Sequence, residues 1–246
     1  MKAILTGMNG TVAPALARRL ARSGCTVVAW NRTEVSPDDP SAVRDFILGT
    51  SPDLCFHLAM GSPTWAETIA RVCGKRHIRF LFTSTVSVYA HTQRGPLTTD
   101  VMPEPNDDYG RYKLECEQRV HAANAESYIA RLAWQIGSAP GSNNLVDYLD
   151  STARARGRIE ASTCWFPACA FLDDTADALA TLVASHAPGL YHLDGNPGLS
   201  FFDIATNLNR LRGNLWNVVP ALVPDRDNRM LDRNITVRSI AQHFTT

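Results

Sequence analysis

Short apolar runs alternate with longer segments of helical periodicity along the chain. The runs KAILTG, CTVVAW, DLCFHLAM, IRFLFTSTVSVY and SYIARLAW predict strands in the first half, and GLYHLDG predicts another in the second half. Each run is mainly apolar and does not alternate with polar positions, which is typical of parallel strands buried on both faces of a sheet. Strands that alternate with helices predict βαβ units. The chain is therefore predicted to form an α/β, doubly wound parallel sheet.

Helical patterns connect these runs, in TVAPALARRLARSG, SAVRDFILGT, TWAETIARVCGKR and YGRYKLECEQRVHAAN. After Gly137 the pattern changes. GSAPGSNN predicts a loop, while NLVDYLDSTARARG, DDTADALATLVASH and SFFDIATNLNRLRG predict helices within an otherwise irregular second half. No linker rich in proline, glycine or serine separates the two parts. We expect a core at 1–140 and a smaller C-terminal lobe at 141–246 that packs onto it, with some segments returning to the core.

Composition excludes several classes of function. Lys plus Arg is 24 and Asp plus Glu is 24, and no long basic run is present, so a nucleic-acid partner is not expected. The 6 cysteines form no CxxC pair, so we predict reduced structural thiols and no metal site. No apolar stretch approaches the ~18–20 residues that span a membrane. Since MKAILTG already starts a strand, no signal peptide is expected, and we predict a cytoplasmic protein.

The stretch LTGMNGTVAPAL places a glycine-rich turn between the first strand and the first helix. Glycines at this position allow a tight turn and close approach of the backbone to a pyrophosphate, and the small Ala13 allows the helix to pack closely on the strand. The helix N-terminus then offers free N–H groups and a positive dipole end to the phosphates. The alternative is a plain connecting turn. We predict a Rossmann-type dinucleotide site that includes Gly7, Met8, Asn9, Gly10 and Thr11.

The end of the second strand indicates which dinucleotide binds. An acidic residue there would accept hydrogen bonds from the adenosine ribose and repel a 2′-phosphate. The chain instead has AWNRT, with Asn31 and Arg32. Because a guanidinium pairs well with phosphate, we predict NADP(H) in preference to NAD(H).

Tyr109 and Lys113 are candidates for proton transfer. Residues four apart share one face of a helix, so both side chains can act on one ligand, whereas Tyr112 points elsewhere. A free tyrosine has a pKa of about 10, and a nearby ammonium lowers that pKa. The alternative is a chance pair on an amphipathic helix. Together with the glycine turn, the pair predicts that Tyr109 donates a proton and that Lys113 lowers its pKa.

With TGxxGxxA, DLCFHLA, FTSTVSVY and the YxxxK of YGRYK, the chain resembles the extended short-chain dehydrogenase/reductases. The resemblance implies that Thr85, four residues before Tyr89, and Tyr109 hydrogen-bond the substrate oxygen, with Ser84 as the alternative hydroxyl. It implies that Lys113 also holds the nicotinamide ribose. The strand end HLAM would line the cofactor, through Leu58, Ala59 and Met60. His57 has no predicted catalytic role.

The second half is similar to the dTDP-4-dehydrorhamnose reductase pattern in ARLAWQIGSAPGSNNLVDYL, FLDDTADAL and GLYHLDG. By that resemblance Trp134 borders the sugar, although it serves equally well as core filling. Asn143 or Asn144 would lie at the entry of the substrate lobe. The segment between Met60 and Ile78 is short and lacks the asparagine-containing helix of the family pattern. At 246 residues the chain is also smaller than most extended members, and its trimmed lobe leaves the nucleotide part of the substrate open. The resemblance alone also suggests a homodimer.

These features together predict an NADP(H)-dependent reductase of a keto group on a nucleotide-activated deoxysugar or a similar polar ketone, a small-molecule substrate. A sugar-nucleotide epimerase that recycles its cofactor uses the same residues and is the first alternative. A non-catalytic dinucleotide-binding subunit is the second. The absence of an Asp-Glu pair after Thr85 disfavours a dehydratase.

Overall fold

The computed structural model describes residues 1–137 and 144–245. A central sheet is formed by β1 (Lys2–Leu5), β2 (Thr26–Ala29), β3 (Leu54–His57), β4 (Arg79–Thr85), β5 (Tyr128–Leu132) and β10 (Gly189–Leu193). Short strands outside it are β6 (Trp134–Ile136), β7 (Ile159–Ser162), β8 (Trp165–Phe166), β9 (Cys169–Phe171), β11 (Val218–Ala221) and β12 (Arg226–Asp227). The helices are α1 (Val12–Arg22), α2 (Pro40–Thr50), α3 (Pro63–Lys75), α4 (Asp108–Ala123), α5 (Leu145–Arg156), α6 (Leu172–Ser185) and α7 (Phe201–Leu211), and short 3₁₀ turns cover Val86–Val88 and Ile240–His243.

The central sheet has the strand order β10-β5-β4-β3-β1-β2, and every pairing within it is parallel. β2 lies on one side of β1 and β3 lies on the other, so the order of the strands changes direction at β1. In open α/β sheets, ligands bind at such a switch point, outside the carboxyl ends of the strands. The predicted doubly wound parallel sheet of Rossmann type is confirmed.

Helices cover both faces of this sheet. On one face, α1 and α6 pack over apolar side chains such as Leu5, Leu16 and Leu179, which are fully buried. On the other face, α2, α3 and α4 enclose a second cluster that includes Ile47, Trp65 and Phe82. Because both faces are buried, strands such as β3 carry no exposed position, as their continuous apolar sequence predicted.

A third apolar cluster lies in the C-terminal lobe, where β6, α5, β7 and α7 pack around residues such as Ile136, Leu149 and Phe201. Chain segments cross between this lobe and the core. β6 pairs with β9, whereas β10 pairs with β5 in the central sheet and α6 packs against α1. The exact division of the chain at residue 140 stays a prediction.

The tail is more ordered than the sequence indicated. β11 pairs in parallel with β7, and β12 pairs in parallel with β8. β12 has two residues, and the apolar run that contains β11 is interrupted by Pro220, so neither gives a clear strand signal along the sequence. They form strands because they pair with β7 and β8, which lie far from them along the chain.

The 6 cysteines are free thiols, and all except Cys164 are buried. Among the described residues, none of the helices combines the length and apolar character needed to cross a membrane. The same residues contain no cluster of three or more His, Cys, Asp or Glu side chains suited to a metal ion.

Candidate active site

A cavity of about 630 Å³ lies at the carboxyl ends of the central strands. One end is lined by the glycine turn, at Gly7 and Gly10. The middle is lined by the end of β4 and by the start of α4. The far end is lined by side chains of the lobe, including Trp134 and Trp165. The cavity therefore joins the predicted cofactor turn to the predicted catalytic residues and to the lobe.

Gly7 provides the close approach that the glycine turn predicted. Its φ is +82°, and a Cβ built on it would lie 3.0 Å from the backbone nitrogen of Ala59 and 3.0 Å from the carbonyl carbon of Leu58. The turn closes with a 2.8 Å hydrogen bond from the Gly10 N–H to the Gly7 carbonyl oxygen. Thr11 then precedes the first residue of α1, so the helix N-terminus faces the cavity. A glycine is required here by both its φ and its neighbours.

A buried hydrogen-bond chain fixes the end of β3 against this turn. The Thr6 hydroxyl accepts from the backbone N–H groups of Leu58 (2.9 Å) and Ala59 (3.1 Å). Its own proton is therefore free to be donated to His57 Nδ1 at 3.0 Å, which leaves the His57 proton on Nε2. Burial, followed by the charges of Lys113 and Arg32, lowers the pKa of His57 to about 3. The imidazole is thus neutral and structural.

Arg32 lies at the end of β2 with an exposed side chain. It donates a hydrogen bond to the Met60 carbonyl oxygen and stacks over the Trp65 ring at 4.9 Å. No carboxylate of the described residues forms an ion pair with Arg32. Asn31, in contrast, uses its side chain locally: its oxygen accepts from the Thr33 N–H at 3.0 Å, and its amide donates to Glu34 at 2.8 Å. Arg32 is therefore the cation available at this strand end.

Tyr109 and Thr85 both line the middle of the cavity, and their side chains are close enough to interact. The Tyr109 residue is 42% exposed, while Thr85 is buried. Burial of the phenol raises the pKa of Tyr109, a hydrogen-bond interaction with the Thr85 side chain lowers it, and the nearby Asp107 carboxylate raises it. The sequence predicted a pKa lowered by Lys113. That prediction is wrong for this structure, because desolvation of the phenol dominates and the Lys113 ammonium binds the Thr83 carbonyl oxygen instead of acting on the phenol.

Lys113 is buried, and its Nζ donates to the Thr83 carbonyl oxygen at 2.9 Å. The ammonium also lies 4.8 Å from the centre of the Phe82 ring. Burial lowers the pKa of Lys113 to about 8, and the opposing influence of Cys116 and Glu117 only partly compensates. Lys113 therefore presents a positive charge to the cavity whose proton is held weakly.

The hydroxyl candidates at the end of β4 differ in their surroundings. Thr85 Oγ1 accepts from the Ser87 N–H at 3.2 Å and so begins the 3₁₀ turn. Ser84 is also buried at the cavity wall, and its Oγ has no hydrogen-bond partner among the described residues. Both hydroxyls border the cavity.

An aromatic wall forms the lobe end of the cavity. Trp134 stacks on Trp165 with ring centres 6.2 Å apart, and Phe201 lies 4.9 Å from Trp165. Trp134 is thus both a cavity residue and part of the lobe cluster. The Arg226 guanidinium lies 4.3 Å above the Trp165 ring, and its Nε has no hydrogen-bond partner in the described part of the chain. The adjacent Asp227 carboxylate is occupied by Arg229, at 2.6 Å.

Several predicted residues lie outside the cavity lining. Asn144 is buried and caps α5, because its side-chain oxygen accepts from the Asp147 N–H at 3.0 Å. Asn143 falls outside the described residues. The cavity lining also excludes Met8 and Asn9 of the glycine turn and Ala59 after β3. It likewise excludes Asn31 and Arg32, which follow β2.

Sequence reasoning missed cavity residues that come from other segments. Gln135, Trp165, Arg226 and Asn228 line the lobe end, and His91 and Asp107 line the middle. A tryptophan beside short apolar fragments in STCWFPACAF was a weak signal. Nothing in the local sequence distinguished Arg226 from other arginines.

A buried polar network lies behind the catalytic candidates. Arg131 forms two hydrogen bonds with Glu117, at 3.0 and 2.7 Å, and donates a third to the Tyr89 hydroxyl at 2.6 Å. The Leu97 carbonyl oxygen must accept from His192 Nδ1, at 3.0 Å, so Nε2 is free to accept the Tyr89 proton at 2.9 Å. Burial, followed by the Arg131 charge, lowers the pKa of His192 to about 4, so the imidazole is neutral.

The parallel sheet, the glycine turn at its switch point and the YxxxK helix beside the cavity define the extended short-chain dehydrogenase/reductase class. Within that class, the family model described as the RmlD substrate binding domain matches residues 63–221, and the chain belongs to this family.

Among curated relatives, the chain is 27% identical over 220 residues to the dTDP-4-dehydrorhamnose reductase of Mycolicibacterium smegmatis, covering 82% of the chain and 66% of the relative. It is 30% identical over 197 residues to the 2-alkyl-3-oxoalkanoate reductase of Stenotrophomonas maltophilia, covering 65% of the chain and 57% of the relative. The chain thus spans about two thirds or less of the length of these relatives.

Solved structures show the same fold. The dTDP-4-dehydrorhamnose reductase of Bacillus anthracis, solved in complex with NADP, superposes with a TM-score of 0.85 at 16% identity, covering 99% of the chain and 96% of that structure. The UDP-N-acetylglucosamine 4-epimerase of Bacillus cereus superposes with a TM-score of 0.77 at 17% identity, covering 92% and 88%.

Proposed function

We propose that the protein is an NADP(H)-dependent reductase of a keto group on a nucleotide-activated deoxysugar or a similar polar ketone. The observation that carries the proposal is one cavity lined at one end by the glycine turn, in the middle by Thr85, Tyr109 and Lys113, and at the other end by an unpaired guanidinium. The relatives named as reductases support the same reaction type.

The residues at the glycine turn fit a dinucleotide cofactor. A side chain at Gly7 would collide with the end of β3, so the turn and the strand end together form a backbone cradle open to the cavity. The N-terminus of α1 would hold the pyrophosphate. When bound, the cofactor supplies the hydride, and the protein supplies position and charge. Lys113, anchored on the Thr83 carbonyl oxygen, would hold the nicotinamide ribose.

Tyr109 would donate its proton to the ketone oxygen, and Thr85 would orient that oxygen. Because burial keeps the pKa of Tyr109 above its ordinary value, the phenol is protonated at neutral pH, which is the state that a reductase needs. A positioned acid of this kind accelerates a reaction by about 10²–10⁴-fold.

Arg226 supports an anionic substrate. Its guanidinium lines the cavity at the end opposite the glycine turn, and no described carboxylate neutralises it. Phosphate oxygens form charge-assisted, bidentate hydrogen bonds with arginine. A diphosphate that links a nucleotide to a sugar would therefore be held here, with the sugar against Trp134 and Trp165.

Arg32 supports NADP(H) over NAD(H). It is exposed at the β2 end, where the adenosine ribose of a bound dinucleotide would lie, and it lacks a carboxylate partner within the described chain. We expect Arg32→Ala to weaken NADPH binding by about 10-fold or more while NADH binding changes little, since one charge-assisted pair contributes ~1.5–3 kcal/mol. Equal loss for both cofactors in fluorescence titrations would contradict this role.

The function is tested by NADPH oxidation with a panel of nucleotide-linked 4-keto-6-deoxysugars. Tyr109→Phe should lose at least ~10²-fold in kcat. Tyr112→Phe is the matched control, since its hydroxyl accepts from the Gly61 N–H, at 3.1 Å, and interacts with the Cys116 thiol away from the cavity lining, so it should retain most of the turnover. Interconversion of two sugar epimers without net oxidation or reduction of the cofactor would instead establish the epimerase. NADPH binding without turnover of any panel member would favour the non-catalytic subunit.

The substrate anchor has its own test. Arg226→Ala should raise KM for a diphosphate-linked substrate by about 10–100-fold with a smaller change in kcat, because the lost contact is remote from the reacting atoms. Arg158→Ala removes the same charge from an exposed pair with Glu160 and serves as the control. A homodimer and a cytoplasmic location remain predictions, of which the first is tested by sedimentation.

A further inference from the structure

Gly110 is the second residue of the YxxxK motif and lies in the first turn of α4. It is buried, and its φ is outside the left-handed region. A glycine within a helix costs stability relative to alanine, so its conformation alone gives no reason for a glycine here. A Cβ built on Gly110 would overlap the carbonyl oxygen of Ser87 and lie 2.9 Å from both the Ser87 carbonyl carbon and Pro105 Cβ.

This contact brings two catalytic segments together. Ser87 belongs to the 3₁₀ turn that follows β4, and its backbone N–H is bound to Thr85 Oγ1. Tyr109 is the residue directly before Gly110. The distance between the α4 backbone and the 3₁₀ turn therefore sets the distance between the Tyr109 phenol and the Thr85 hydroxyl.

The same two segments are joined again about two helical turns further along the same face of α4. Glu117, on α4, holds Arg131 through two hydrogen bonds, and Arg131 donates to the hydroxyl of Tyr89, the residue that ends the 3₁₀ turn. Since Glu117, Arg131 and Tyr89 are all buried, this tie is shielded from water. The close contact at Gly110 and the buried hydrogen bonds of Glu117 therefore hold α4 against the 3₁₀ turn at two positions along the helix.

From this geometry we infer that Gly110 is a positioning residue, which allows α4 to approach the 3₁₀ turn closely enough for Tyr109 and Thr85 to act on one substrate oxygen. The inference rests on the proposed reductase activity for its kinetic test, but the contact itself is independent of it. Tyr89 has a supporting role, because it receives the Arg131 bond that holds the end of the turn.

The test is a series of substitutions at Gly110 with increasing side-chain size, Gly110→Ala and Gly110→Val. We expect kcat to fall by about 10-fold or more for alanine and further for valine, since small misplacements of reacting groups are costly. The NADPH dissociation constant should change by less than about 3-fold, because the glycine turn is untouched. Gly49→Ala is the matched control: Gly49 also lies in a helix, but a Cβ there meets no atom within 4 Å, so kcat should be unchanged.

Two further measurements distinguish positioning from general damage. Tyr89→Phe, which removes the hydroxyl but retains the ring, should also lower kcat, but by less than Gly110→Ala does. Because the Thr85 interaction lowers the pKa of Tyr109, separating the two should raise the higher alkaline pKa of the kcat profile, that of Tyr109, and leave the lower one near 8, that of Lys113, unchanged. Equal kcat in wild type and Gly110→Ala, or a loss in Gly49→Ala of the same size, would overturn the inference.

A crystal structure of Gly110→Ala separates this inference from the proposed function. It should show the Tyr109 hydroxyl farther from Thr85 Oγ1 than in the wild-type protein. This expected displacement does not depend on whether the protein turns over any ketone of the panel. An unchanged separation would overturn the inference even if the reductase activity is established. Lack of wild-type turnover together with the expected displacement would count against the proposed reaction alone.

Discussion

The Glu117–Arg131 pair offers a quantitative test of how the site is held. Both side chains are less than 10% exposed, and two hydrogen bonds join them. Glu117→Gln keeps the shape but removes the negative charge, and it turns one acceptor into an NH₂ group that faces a guanidinium donor. Arg131 would then be a buried cation without a counter-charge.

The expected cost follows from this burial. Removing one partner of a buried ion pair destabilises a protein by ~3–5 kcal/mol. For a chain of 246 residues, an unfolding entropy of ~2.1 cal/mol/K per residue converts this to a Tm lower by about 6–10 °C. Glu115→Gln is the control on the same helix. Its pair with Arg119 is about half exposed, so its loss should cost ~0–1 kcal/mol.

Urea unfolding followed by circular dichroism measures both variants, with the midpoint reporting stability and the slope reporting the surface exposed. Combining Glu117→Leu with Arg131→Met should cost less than the sum of the two single changes, because no unpaired charge remains. A loss below ~1 kcal/mol for Glu117→Gln would refute the reasoning, as it would show that water reaches Arg131.

Two further changes have clear expected outcomes. Gly7→Ala, which forces a side chain at φ +82° and against the β3 end, should abolish measurable NADPH binding by calorimetry while the protein remains folded; near wild-type affinity would contradict the cradle. Lys113 has a pKa of about 8, so its charge is present below that pH and lost above it; NADPH affinity should therefore fall as pH rises through about 8, and Lys113→Met should show a lower affinity without that dependence. A wild-type affinity that is constant up to the alkaline limit of stability would argue against a charged Lys113 in the site.

The central sheet was predictable because its signals are local. Each of its six strands is a short apolar run, and YGRYK and the glycine turn carry their spacing within a few residues. β12 was not predictable, since its pairing partner β8 lies far away in the chain and neither strand has more than two residues. For the same reason Arg226 escaped notice: its significance depends on the Trp165 ring beneath it.

The direction of the Tyr109 pKa shows a different limit. Spacing correctly placed Tyr109 and Lys113 on one helix that borders the cavity, but spacing does not report burial. The Lys113 ammonium binds the Thr83 carbonyl oxygen, and desolvation of the phenol exceeds any favourable charge. Which of two opposing influences on a pKa is larger depends on the packed structure.

The position of β10 has a consequence for how the protein is made. β10 pairs with β5, yet it is synthesised after the whole of β6 to α6. Until residue 193 has left the ribosome, β5 presents an unpaired edge with its backbone groups available to other chains. His192, which orders the Tyr89 network, arrives on the same strand. During translation this edge is therefore open to pairing with other chains until β10 emerges, and we expect a chaperone that shields the β5 edge at that stage to raise the yield of folded protein.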